Sequence, residues 1–120
     1  MQNLVSVGRE QEKRAILFLK KKGYKILKTN YRTPFGEIDI IAYDRNSIVF
    51  IEVKYRKTKE YGAPEEAIDI KKKTHIIRSA LFYLKYYDKI DSFFRFDVIA
   101  LTPTTLRHYK NAFDGEGIDL

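Results

Sequence analysis

The chain contains no cysteine, so neither a disulfide framework nor a thiolate metal centre is available to it. It also lacks any apolar run near the twenty or so residues that span a bilayer, which argues against a membrane role. The first residues, Met1-Gln2-Asn3-Leu4-Val5, show neither the basic region nor the apolar stretch of a secretory signal, and a cytoplasmic location is the expectation. Internal repeats and low-complexity segments are missing too. At 120 residues the chain suits one packed domain, 1–120, with 113–120 expected as a loose tail.

Charge is present and one-sided. Lysine and arginine number 23 against 16 acidic residues, giving +7 and a pI near 9.5, a balance that attracts polyanions such as nucleic acid. Hydrophobic residues at 44% leave enough apolar surface for a single core.

Hydrophobic spacing predicts a helix over Ser6 to Lys22, capped by Ser6 and ended by Gly23, with Glu12 on the inward stripe of Ala15, Ile16 and Leu19. Strands follow at Tyr24 to Tyr31, Gly36 to Ala42 and Ile48 to Lys54, then a polar loop from Lys57 to Pro64. A long helix is expected over Glu65 to Tyr87, and strands over Phe93 to Leu101 and Leu106 to Phe113. The order αβββαββ describes an α/β fold with a mixed central sheet and flanking helices.

The second and third strands, GEIDIIA and IVFIEVK, are apolar enough to be buried yet carry charge. If Asp44 to Ser47 forms the hairpin loop, Tyr43 opposes Ile48, Asp39 opposes Glu52 and Glu37 opposes Lys54. Strict alternation then places those four charges on one face, with Ile38, Ile40, Val49, Ile51 and Val53 on the other. Two carboxylates set about 5 Å apart repel unless a cation lies between them. Oxygen ligands favour a hard ion, and magnesium needs only one or two carboxylates, leaving water and substrate phosphate to complete its shell. Asp39 and Glu52 are therefore the candidate metal ligands, Lys54 can reach a phosphate oxygen or the attacking water, and an inward Glu12 is a third acid.

The helix glutamate Glu12, Gly36-Glu37-Ile38-Asp39 and Glu52-Val53-Lys54 together resemble the PD-(D/E)xK nuclease pattern, and hence a restriction-endonuclease-like core. From about Gly8 to Phe113 the chain is similar to the YraN family of bacterial proteins, related in fold to archaeal Holliday junction resolvases. Asn30-Tyr31-Arg32, Tyr55-Arg56, Arg95-Phe96-Asp97-Val98 and Asn111-Ala112-Phe113 extend the match. The resemblance implies Asp39 and Glu52 as metal ligands, Lys54 as the catalytic lysine and Glu12 as an accessory acid. Gln11 stands where that family usually has glycine, which bears on the packing of its helix turn.

Arg32, Arg56, Lys57, Lys72 and Arg78 are the candidate phosphate contacts, Lys72 lying where the family carries a lysine. The expected activity is magnesium-dependent hydrolysis of DNA, branched or single-stranded, with manganese as a substitute and RNA also compatible. The rival reading is a binding or partner-recruiting module of the same fold without turnover, and a purely structural ion-pair network is a third. A homodimer would suit a four-way junction, although no residue requires one. His75 and His108 lack ligand-spaced partners, and Asp97 can pair with Arg95 or hold a neighbouring loop.

Overall fold

The computed structural model describes residues 4–57 and 68–118, with side chains from residue 7 onward. Its elements are α1 (Leu4–Lys21), β1 (Lys25–Thr33), β2 (Gly36–Asp44), β3 (Ser47–Tyr55), α2 (Ile70–Tyr86), β4 (Phe93–Leu101) and β5 (Leu106–Phe113). The five strands form one sheet in the order β1-β2-β3-β4-β5; β3 and β4 run parallel and the other neighbours antiparallel. This is the mixed α/β arrangement read from the sequence. Among the described residues, no helix is long and apolar enough to cross a membrane.

Glycine ends α1 as expected. Gly23, at φ +90°, donates to the Lys20 carbonyl while Tyr24 N donates to the Leu19 carbonyl, the paired bonds of a Schellman cap. The other end differs, because the helix begins at Leu4 and leaves Ser6 inside its first turn instead of at the cap. On α2 the cap is Asp69, whose Oδ1 accepts from Lys72 N at 2.8 Å. The expected start at Glu65 lies outside the described residues, as does most of the loop from Lys57 to Pro64; Ile68 and Asp69 are not helical.

Each helix covers one face of the sheet. Ala15 and Leu19 of α1 pack on Ile40, Ala42, Val49, Ile51, Ile99 and Leu101. Ile76, Ile77, Ala80, Tyr83 and Leu84 of α2 pack on Ile38, Ile41, Phe50, Phe96 and Val98. Each large apolar side chain buried this way contributes roughly 1.5–3 kcal/mol, so the two layers together drive the fold. The tail is tied down at least as far as Ile118, which packs against the α2-side cluster beside buried Phe113.

The β2–β3 hairpin has the expected register, Tyr43↔Ile48 and Ile40↔Ile51. Arg45 and Asn46, at φ 45° and 74°, form the two-residue loop whose twist matches that of paired strands. Alternation breaks further along. Ile38 joins the α2-side cluster and Ile40 the α1-side cluster, although residues two apart in a regular strand share a face. The irregularity falls at Asp39, with Asn30 of β1 alongside in left-handed backbone at φ 49°.

Candidate metal and phosphate site

The β2–β3 ladder stops at Ile40↔Ile51, while β2 continues on β1 to Gly36 and β3 continues on β4 to Tyr55. The central strands therefore part, and an opening forms between Asp39 on one strand and Glu52, Val53 and Lys54 on the other. Asp39 Oδ2 accepts the Val53 amide at 2.8 Å, so its carboxylate stands where a strand carbonyl would otherwise serve. This bond fixes the carboxylate in the mouth of the opening.

The four charged side chains do not share one face, contrary to the regular-alternation expectation. Asp39 and Glu37 line a cleft of about 470 Å³ on the α1 side with Glu12, Asn30, Arg9 and Arg32. Glu52 is held from the α2 side, its Oε1 lying 3.5 Å from Lys72 Nζ and 4.0 Å from Lys54 Nζ. Yet the two carboxylates interact across the opening, the charge of Asp39 helping to raise the Glu52 pKa.

Glu37 does not oppose Lys54. It faces Arg32 across β1 and pairs with it at 3.8 Å, a largely exposed contact of small energetic weight. Glu12 also departs from expectation: Gln11, Ala15 and Leu19 form the buried stripe, leaving Glu12 half-buried at its edge. Its Oε1 accepts from Asn30 Nδ2 at 2.8 Å. Burial raises its pKa, and the nearby Asp39 raises it further. Gln11 accepts from Arg14, which donates to the Thr102 carbonyl at 2.9 Å, so the arginine, steadied by the glutamine, ties α1 to the end of β4.

Glu52, 5% exposed, is the most perturbed acid here. Burial, followed by the charge of Asp39, pushes its pKa up to about 7, against the opposing pull of Lys72 and Lys54. Because the folded value exceeds the ordinary 4.5, Glu52 favours folding in acid, and that contribution is lost as pH rises from about 4.5 to 7. In chelator, Glu52→Gln is expected to flatten this fall and to raise stability above pH 7 by on the order of 1 kcal/mol. Urea unfolding at pH 5 and pH 8 measures it; a wild-type stability that rises between these pH values, with the variant following it, would oppose the assignment.

The remaining predicted cations scatter. Arg32 faces the cleft, Arg56 and Lys57 are exposed after β3, and Arg78 lies two turns along α2 from Lys72. Of the run 71–73, Lys72 reaches Glu52 while Lys73 Nζ sits 5.8 Å over the Phe113 ring. Arg9 and Asn30 were not anticipated in the site. Arg9 precedes Glu12 by one helical step of three, and asparagine inside a strand is a signal for left-handed backbone.

A second polar cluster lies on β4. Asp97, fully buried, receives Arg95 Nε at 3.0 Å, His108 Nε2 at 2.7 Å and Asn111 N at 2.9 Å. It therefore both pairs with Arg95 and holds a neighbouring strand. Arg95 also contacts the Tyr24 hydroxyl at 2.8 Å and Asp44 at 3.3 Å, so every member of the cluster is satisfied.

Comparison with known proteins places the chain in a family. Residues 11–101 match the profile described as "Uncharacterised protein family UPF0102". A UPF0102 protein of Thermodesulfovibrio yellowstonii is 48% identical over 109 residues, covering 91% of this chain and 96% of that one. A UPF0102 protein of Persephonella marina is 47% identical over 107 residues, covering 89% and 92%. One from Sulfurihydrogenibium is 44% identical over 109 residues, covering 91% and 95%. The chain belongs to the UPF0102 (YraN) family.

Proposed function

We propose that this domain is a divalent-metal-dependent endonuclease with a restriction-endonuclease-like core, hydrolysing phosphodiester bonds in DNA. The observation that carries the reading is the parting of β2 and β3, which brings Asp39 and Glu52 together with Lys54 alongside. A buried carboxylate, Glu52, whose pKa is raised by burial and by the charge of Asp39 suits a hard cation, and the pair suffices for magnesium or manganese. Among the described residues no group of three or more His, Cys, Asp and Glu side chains is arranged to hold a metal, so the remaining positions would fall to water and substrate. When bound, the ion supplies Lewis acidity to the scissile phosphate and an attacking water of lowered pKa.

The chain's own groups divide the remaining work. The Val53 amide keeps Asp39 oriented. Lys54 offers positive charge beside Glu52, where charge develops on the phosphoryl oxygens. Glu12, held by Asn30, lies on the cleft side of Asp39 and can accept a proton from water there. Arg9 and Arg32 flank the cleft and suit the neighbouring phosphates, with affinity falling as salt rises.

Magnesium at a hundredfold its dissociation constant is expected to stabilise the protein by about 2.7 kcal/mol at pH 8, and the gain should vanish in Asp39→Asn. Thermal unfolding with and without magnesium reads this. The binding-module reading has its own support, since Lys72 and Lys54 already counter the charge of Glu52. Salt-sensitive DNA binding with neither a magnesium shift nor cleavage would favour that reading instead.

A further inference from the structure

One stripe of α2 leads away from this opening. Lys72, His75, Arg78, Phe82 and Tyr86 follow at intervals of three or four, so they lie along one side of the helix. Lys72 touches Glu52; Phe82, ten positions later, lies about 15 Å further along the axis. There the stripe meets Phe35, which projects from the β1–β2 turn. Phe35, Phe82 and Tyr86, with Arg78, Lys85 and Leu81, line a groove of about 630 Å³. Among the described residues that line it, the ionisable ones apart from the tyrosine are cationic and none is acidic.

The groove is built rather than incidental. Thr33 Oγ1 lies 2.8 Å from the buried Ser79 Oγ, and the Phe35 amide donates to Thr33 Oγ1 at 3.0 Å. At Gly36, φ +149°, an added Cβ would stand 3.2 Å from His75 Cβ, so the turn is seated closely on α2. Phe35 is thereby fixed 6.4 Å from Phe82, while Phe82 and Tyr86 stack at 6.0 Å with their planes 14° apart. Despite this ordering, Phe35 and Tyr86 remain 45% and 71% exposed. Large aromatic faces held open to solvent beside cations are the elements of a single-strand stacking platform.

We propose that this groove binds unpaired bases of a nucleic-acid strand, with Phe35 and Tyr86 stacking on them and Arg78 and Lys85 meeting the flanking phosphates. The inference rests on the nuclease reading only for its biological sense: it makes the substrate a strand with bases unpaired a few nucleotides from the scissile bond. Duplex DNA hides its base faces and gains nothing from the groove.

The test uses the full chain in chelator at low salt, with labelled oligothymidylate and a duplex of equal length, followed by anisotropy. Phe35→Ala and Tyr86→Ala are expected to weaken oligothymidylate binding about five-fold or more each, leave duplex binding within about two-fold, and preserve the far-UV spectrum. Phe35→Trp should retain affinity and Phe35→Leu should not. Equal effects on both DNA forms, no effect on either, no oligothymidylate binding by wild type, or full retention by Phe35→Leu would overturn the proposal. So would a wild-type dimer that Phe35→Ala dissolves without changing DNA binding. Because no metal is present, failure here is separate from failure of catalysis.

Discussion

Alanine at Asp39 or at Lys54 is expected to lower magnesium-dependent DNA cleavage by about a hundredfold or more. The two losses have different origins. Asp39→Ala removes one of two carboxylates at the opening and releases the Val53 amide, whereas Asp39→Asn keeps an acceptor for that amide and loses only the charge. Equal inactivation by alanine and asparagine would place the defect in the charge and not in the strand geometry. Lys54 is only partly exposed and makes one long 4.0 Å contact with Glu52, so its removal should cost little stability while withdrawing positive charge from the reacting phosphate. Lys72→Ala separates the roles of the two lysines. It deprives Glu52 of its shorter ion pair, at 3.5 Å, and should alter the pH dependence more than the maximal rate. The measurement is cleavage of linear, flayed and four-way-branched DNA by proteins prepared identically. Equal activity in wild type and both alanine variants would identify a contaminant.

The largest effect on stability is expected at Asp97. Its carboxylate is fully buried and serves Arg95, His108 and the Asn111 amide together, so Asp97→Ala leaves three donors without their acceptor. Breaking a buried pair this way costs about 3–5 kcal/mol. For a chain of this size the melting temperature should fall by roughly 10 °C or more. Asp97→Asn retains part of the acceptor capacity and should fall less. Side-chain and backbone donors together hold the Asp97 pKa below its ordinary 3.8, against burial. Its contribution is therefore present above about pH 4 and lost as pH falls through the lower folded value, opposite in sign to that of Glu52. Denaturant titrations across pH 2–8, where about pH 4 divides the two behaviours, should resolve both slopes. Near-native stability of Asp97→Ala would mean that the network specifies strand pairing without stabilising it.

Much of the fold was written in local pattern. The strands Phe93–Leu101 and Leu106–Phe113 begin and end where apolar alternation and the Thr102-Pro103 turn place them. The hairpin register followed from setting Tyr43 opposite Ile48, although the loop is shorter than the expected Asp44 to Ser47: those two residues pair, and only Arg45 and Asn46 turn. Alternation failed at Asp39 because the departure is set by which strands continue to pair, and pairing is tertiary. Asn30 was the local sign, an αL-tolerant residue in the strand beside it. The inward stripe of Ala15, Ile16 and Leu19 on α1 was legible, but Glu12 stands at its edge and Gln11, polar in sequence, takes the buried place, accepting from Arg14, which donates to the Thr102 carbonyl.

The Asp97 cluster was half legible. Arg95 and Asp97 share a strand face by period two, but β5 carries extra residues between Tyr109 and Phe113, against the short step from Val98 to Phe96 on β4. That irregularity, with Asn111 at φ 53°, brings the Asn111 amide to the carboxylate. No periodicity in the sequence encodes it.

The claim on which the chemistry depends is that Asp39 and Glu52 jointly hold one divalent ion. Crystals soaked in manganese, with diffraction collected at the manganese edge, test it most directly. The account predicts one anomalous peak in contact with both carboxylates, absent from Asp39→Asn crystals soaked alike. Ordered Asp39 and Glu52 side chains with no peak between them, or a peak held by other residues alone, would contradict it.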